Sequence, residues 1–150
     1  MSVGFNPITG QGLLNRVLVH TIVPIFPQLT VTSPFMAKSQ AVLTLEGPFV
    51  HQMGTATGLV NSPEPYVMGQ LVISLLRSQA LSGLWVAQSQ VTSVIGPVTI
   101  YSDSTEFPSV TLADCSIIDI DPGAYDGQDP ATKVTIKGVF YTNASLWVGI

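Results

Sequence analysis

Few residues of this chain could do chemistry. A nucleophilic site needs an activated thiolate beside a base, and the only materials are Cys115 with His20 or His51. Cys115 lies in a strand-like run beside Ile117 and Ile118, with no glycine-rich elbow or helix start to expose or acidify it. An inert, buried thiol is expected. His20, between Val19 and Thr21, and His51, after Phe49 and Val50, are too isolated to act as ligands, so packing or hydrogen bonding accounts for each. For a hard cation the one carboxylate cluster is Asp119, Asp121, Asp126 and Asp129. Counted as an EF-hand from Asp119, it has Ala124 where glycine is needed and Pro130 where glutamate is needed, which leaves a solvated acidic turn. Gly10/Gly12 and Gly54/Gly58 neither lead into the Gly-Lys-Ser/Thr of a phosphate loop nor complete a dinucleotide fingerprint. Asn143-Ala-Ser145 matches a glycosylation sequon, which has meaning only in a secreted chain. No catalytic, cofactor or metal constellation is expected, and the chain is not expected to be an enzyme.

Composition points elsewhere. A chain of 150 residues is one domain's worth, so residues 1–150 are read as a single domain. Only 9% of it is charged, against roughly 25% in ordinary soluble domains, while 46% is hydrophobic and the mean hydropathy is +0.44. A folded monomer of this mass exposes about 7,400 Å², which so few charges dress sparsely. The remainder must be neutral polar surface, membrane contact or surface covered by partners. Membrane insertion is not expected. The charge-free stretch from Val17 to Ala37 carries Pro24, Pro27 and Pro34, and that from Ser78 to Ser102 carries Gln79, Gln88 and Gln90. The first basic residue is Arg16, so no secretory signal is evident and cytoplasmic synthesis is the expectation. One cysteine excludes an internal disulfide framework, and a net charge of −4 argues against adhesive binding to nucleic acid.

The elements that would have to position any site are mostly strands. Val, Ile, Thr and aromatics suit a pleated surface, and 13 glycines and 11 prolines punctuate the apolar runs. Residues 1–15, rich in glycine and asparagine, form an N-terminal arm. Strands are expected at Arg16–Val23, Ala41–Glu46, Tyr66–Leu76, Pro97–Ser102, Val110–Ile120 and Lys133–Thr142. A proline-rich crossing separates the first two, and a turn of about ten residues lies within DIDPGAYDGQDPATK. One helix is expected at 78–90, capped by Ser78, with Leu81, Leu84, Trp85 and Gln88 on its apolar face. Residues 47–65, GPFVHQMGTATGLVNSPEP, form a long loop or extended hairpin whose single charge is Glu64. A connection of that length is usually functional or disordered, and disorder favours charge over apolar side chains. A partner surface that includes Phe49, Val50, Met53 and Leu59 is therefore expected. The fold class is mainly β, a β-sandwich or barrel-like domain with one flanking α-helix.

The organisation around VMGQLVISLLRSQALSGLWVAQ (67–88), a strand running straight into a short helix after a long loop, resembles tail tube proteins of contractile-tailed bacteriophages. VTLADCSIIDID and KVTIKGVFYT look like later strands of that family, and the similarity spans about Arg16 to Tyr141. The resemblance implies a fold shared with type VI secretion tube proteins and a virion structural role. Six copies would form a ring, and stacked rings a tube that conducts the genome into the host. It implies contacts with further copies of itself, the loop 47–65 reaching the adjacent ring or subunit with Phe49, Val50, Met53 and Leu59 as inter-subunit contact candidates. It also implies contacts with sheath and baseplate proteins, with DNA only as a non-adhesive passenger in the lumen and no cofactor. Low charge suits such an assembly, because ring closure satisfies sheet edges that would otherwise aggregate. Two alternatives stay open. One is a baseplate or tail-terminator ring protein of related fold; the other is a monomeric β-sandwich module for carbohydrate or protein, which would need an exposed aromatic platform that the scattered aromatics do not offer.

Overall fold

A computed structural model describes residues 19–102, 108–125, 128 and 130–146. They form eight strands, β1 (Val19–Ile22), β2 (Met36–Glu46), β3 (Val50–Gly54), β4 (Leu59–Pro63), β5 (Tyr66–Leu76), β6 (Val94–Ser102), β7 (Val110–Asp121) and β8 (Ala131–Tyr141), and one helix, α1 (Ala80–Val91). Six strands make one antiparallel sheet in the order β1-β6-β7-β8-β5-β2, and β3 and β4 pair separately as a hairpin. The large sheet curls into a half-barrel, so the mainly β, barrel-like plan with one flanking helix expected from the sequence is the plan adopted. The expected arm at 1–15, along with Trp147 and the end of the chain, lies outside the described residues.

Period-two alternation sorts the sheet into a core face and an open face. On β5, Val67, Leu71, Ile73 and Leu75 are buried, and on β8 Val134 and Ile136 join them. Glu46 and Lys137 pair across β5 on the open face, 3.3 Å apart and partly exposed. The curl has a local cause. Register slips on β2, β6 and β7 accompany residues with positive φ, namely Gln40 (51°), Gly96 (77°) and Asp114 (51°). Each is a bulge that bends its strand and increases the twist. On β7 the bulge also shifts the phase, because Leu112 and Cys115 both face the core although they are three positions apart, an offset that regular alternation would put on opposite faces.

Two glycines face each other across β5 and β8. Gly69 of β5 is the direct partner of Gly138 of β8. A Cβ at Gly69 would lie 2.6 Å from Leu112 Cδ2, and one at Gly138 would collide with Cys115 Sγ and lie 2.9 Å from the Ala113 carbonyl. The missing side chains make the slot into which Leu112 and Cys115, both fully buried, are packed from β7.

Helix α1 packs on β5 and on a 3-10 turn at Pro27–Leu29, and Trp85 and Leu81 enter the core beside Leu29, Val23 and Val31. The expected helix boundaries hold to within two residues, but two details are corrected. Ser78 is not the cap: the N-cap is Gln79, which makes no side-chain capping bond. Nor does Leu84 lie on the buried face; it is 44% exposed, and Ser82 is buried in its place. The Ser82 hydroxyl donates to the Gln79 carbonyl at 3.0 Å, which makes burial of a serine affordable and turns the helix by one position from the most apolar stripe.

Trp85→Ala is expected to cost about 3–5 kcal/mol by urea titration, and Leu84→Ala no more than about 0.5 kcal/mol. Gly138→Ala should destabilise by about 1–3 kcal/mol through overpacking. Gly83→Ala, at an exposed helical position with nothing within 4 Å of the new Cβ, should stabilise by about 0.5–1 kcal/mol.

Candidate interaction surface

Strands β2 and β5 are already paired as far as Glu46 and Met68, so the intervening chain leaves the sheet and returns to it. Gly47, with φ +88°, turns it outward, a conformation that glycine adopts without steric cost. The segment 47–65 is the extended hairpin alternative: Val50 pairs with Pro63, Gln52 with Asn61 and Met53 with Val60. Thr55 N–H donates to the Gly58 carbonyl at 2.8 Å to close the turn. Five residues per strand give a projection of roughly 17 Å.

Its chemistry is banded along its length. At the root, Phe49 stacks on Phe140 with ring centroids 6.2 Å apart. The waist is polar: His51 and Glu64 pair at 3.2 Å on one face, and Gln52 donates to Asn61 at 3.1 Å on the other. Both groups of side chains are exposed, so the His51–Glu64 contact contributes little to stability. The tip is apolar on both faces. Alternation puts Met53 and Val60 on one side and Leu59 on the other, and they are 53%, 47% and 55% exposed. Every residue from His51 to Ser62 is exposed, and both edges of the hairpin carry unpaired backbone groups. A two-stranded ribbon of this kind is marginal when it stands alone.

Of the four contact residues expected from the sequence, Met53 and Leu59 are carried together at the tip. Val50 is half-buried near the root, and Phe49 is turned partly into the body by its stacking on Phe140. Sequence reasoning missed Val60, and it missed the root itself. Thr142 and Asn143, just after β8, bond to Glu64 and Phe49. The only signal at Asn143 was a sequon whose asparagine could equally serve a local structural role.

Among the described residues, those considered for chemistry are not assembled into a site. Cys115 is on β7 opposite Gly96, and His20 is on β1 opposite Tyr101. Two strand spacings and five residues along β6 separate them, on the order of 15 Å or more. His51 is out on the hairpin, engaged with Glu64. The Cys115 thiol donates to the Leu112 carbonyl at 3.2 Å. Its pKa is pushed up to about 11, chiefly by burial, with a backbone bond from Val98 opposing and the charge of Asp114 adding. The thiolate needed for nucleophilic or metal chemistry is therefore disfavoured at neutral pH. Asp119 and Asp121 lie near the end of β7, where Asp121 Oδ1 accepts the Gly123 N–H at 3.0 Å, while Asp126 and Asp129 lie outside the described residues. Among the described residues no three His, Cys, Asp or Glu side chains are grouped to hold a metal ion, and no helix is long and apolar enough to cross a membrane.

The unfolded chain releases the Cys115 proton near pH 9, whereas the folded protein holds it to about pH 11. Stability from this group is thus fully present below pH 9 and lost as the pH rises to 11. The expected loss is about 2–3 kcal/mol, read as a steeper alkaline decline in urea midpoint for the wild type than for Cys115→Ala.

No protein-family model matches the chain, and no curated protein matches it. Among solved structures it is similar to the cap of the anti-feeding prophage, a tube terminating cap determined by cryo-EM. The match has a TM-score of 0.52 at 12% identity and covers 96% of this chain and 100% of that one, which makes it a likeness of fold along the whole length.

Proposed function

We propose that this chain is a structural, non-enzymatic subunit of a contractile-tail-type particle, forming a ring that closes the end of the tube. The observation that carries this reading is the end-to-end likeness to a tube terminating cap. Two physical features support it. Charged residues are scarce, which suits a subunit whose surface is largely covered by neighbours. The hairpin tip is apolar on both faces, so a flat partner would cover only half of it; a slot between neighbouring copies, or between cap and tube, covers both. Because the tip and its receiving slot would be different patches, the contact is heterologous, and heterologous contacts close into rings when the rotation permits.

The second reading keeps the particle and changes the part. A tube subunit, which the resemblance around residues 67–88 favours, would use the same hairpin to reach the next ring and would polymerise without stopping, with DNA as passenger. Its partners would be sheath and baseplate proteins, and its place the virion. A monomeric binding module would have to use exposed aromatics such as Tyr66, Tyr125 and Tyr141, and the likeness to a tube cap does not favour it.

Electron microscopy of the purified chain and of the native particle separates these outcomes. Single-layer rings, located at tube ends, support the terminator; long tubes of this chain alone overturn it in favour of the tube subunit. Particles that sediment as monomers at every concentration, and that are absent from the native tail, overturn both. Met53→Asp combined with Leu59→Asp should weaken ring formation at least about tenfold while shifting the unfolding midpoint little, since exposed substitutions cost about 0.5 kcal/mol or less.

A further inference from the structure

Residues 51–62 are exposed throughout, so the body holds the hairpin only at its root. There the Phe49 ring packs on Phe140, and a small set of bonds joins both legs to the chain just after β8. The Asn143 side-chain amide has two hydrogens. It donates to the Phe49 carbonyl at 3.0 Å, on the leg that leaves the sheet, and to the Glu64 carbonyl at 2.8 Å, on the leg that returns. Thr142 Oγ1 also donates to the Glu64 carbonyl at 2.7 Å, and Thr142 N–H donates to the Pro65 carbonyl at 3.1 Å. Glu64 N–H donates to the Phe49 carbonyl at 2.9 Å and ties the two legs to each other. Asn143 has φ +53°, in the left-handed region that asparagine tolerates better than most residues. That backbone turn, placed directly after β8, delivers the amide to both carbonyls at once.

We infer that Asn143 is the positioning residue of the interaction surface: its amide clasps both legs of the hairpin and fixes the direction in which the apolar tip leaves the sheet. The inference rests on the reading of the hairpin as the contact element and adds to it the residue that aims it. The same nitrogen would be the acceptor atom of the Asn-Ala-Ser sequon, and both of its hydrogens are committed to the clasp.

The test uses the isolated full chain, so it does not depend on assembly. Asn143→Gly keeps the left-handed backbone without strain and removes only the amide; Asn143→Asp keeps the size but replaces the donors with acceptors that face two carbonyls. Spin labels at Leu59→Cys and Val91→Cys report the tip-to-body distance, and amide exchange reports the sheet. The expected result is one narrow distance for the wild-type background and a broad distribution for both variants. Exchange in 50–63 should be about tenfold faster, with 66–76 and 131–141 unchanged. A narrow, unmoved distance in Asn143→Gly overturns the inference. So does acceleration spread evenly over β5 and β8, which would make Asn143 an ordinary contributor to sheet stability. If the distance broadens but the wild-type chain forms no ring or tube, the clasp stands and the proposed function fails.

Discussion

The curl of the sheet depends on an absence, the two side chains missing at Gly69 and Gly138. Because these glycines face each other across β5 and β8, Leu112 can lie over both strands and bring β7 inward. The bulges at Gln40, Gly96 and Asp114 bend individual strands, but a bent strand needs somewhere for its core side chains to go. The glycine slot is that place. With it filled, the core face closes over Leu71, Ile73 and Ile136, and α1 with the Pro27–Leu29 turn covers it through Trp85 and Leu29. Cys115 belongs to the same packing, which is why its thiol is a small buried hydrophobe and not a reactive group.

The molecule therefore divides its labour sharply. Apolar burial is concentrated on one face of one sheet, and the hairpin contributes almost nothing to it. Elsewhere charge is thin: Arg77 stacks its guanidinium over the Tyr125 ring at 5.5 Å, and Lys137 pairs with Glu46, so several of the few charges are spent on local contacts. With so few charges most of the surface is neutral, and the apolar tip of the hairpin stands out from it as exposed hydrophobic area.

Much of this architecture is legible in the residues. Tyr66–Leu76 is a strand at those very bounds, because its odd-numbered residues from Val67 to Leu75 meet the core, with Ser74 buried beside them. The later strands were located to within a few residues, and the long apolar connection was recognisable because it lacked the charge of a disordered segment. The parts that escaped were set by tertiary context. Ser82 is buried in preference to Leu84 because a local hydroxyl bond offsets its polarity, which no hydrophobic periodicity reveals. β6 begins at Val94, three residues before the expected start, since the bulge at Gly96 lets the strand run through a Gly-Pro pair that looks like a turn. The root of the hairpin was invisible for a different reason: its two halves are separated by 79 positions in the case of Asn143 and Glu64, and only the pairing of β5 with β8 brings them together.

Strands β2 and β5 are registered against each other right up to the point where the hairpin departs, so residues 47–65 amount to an insertion between two strands that would be neighbours without it. Such a segment can change in length, charge or shape while the sheet beneath it keeps its own stability. The same sheet can thus carry a different ribbon, provided its base still places two backbone carbonyls within reach of the Asn143 amide.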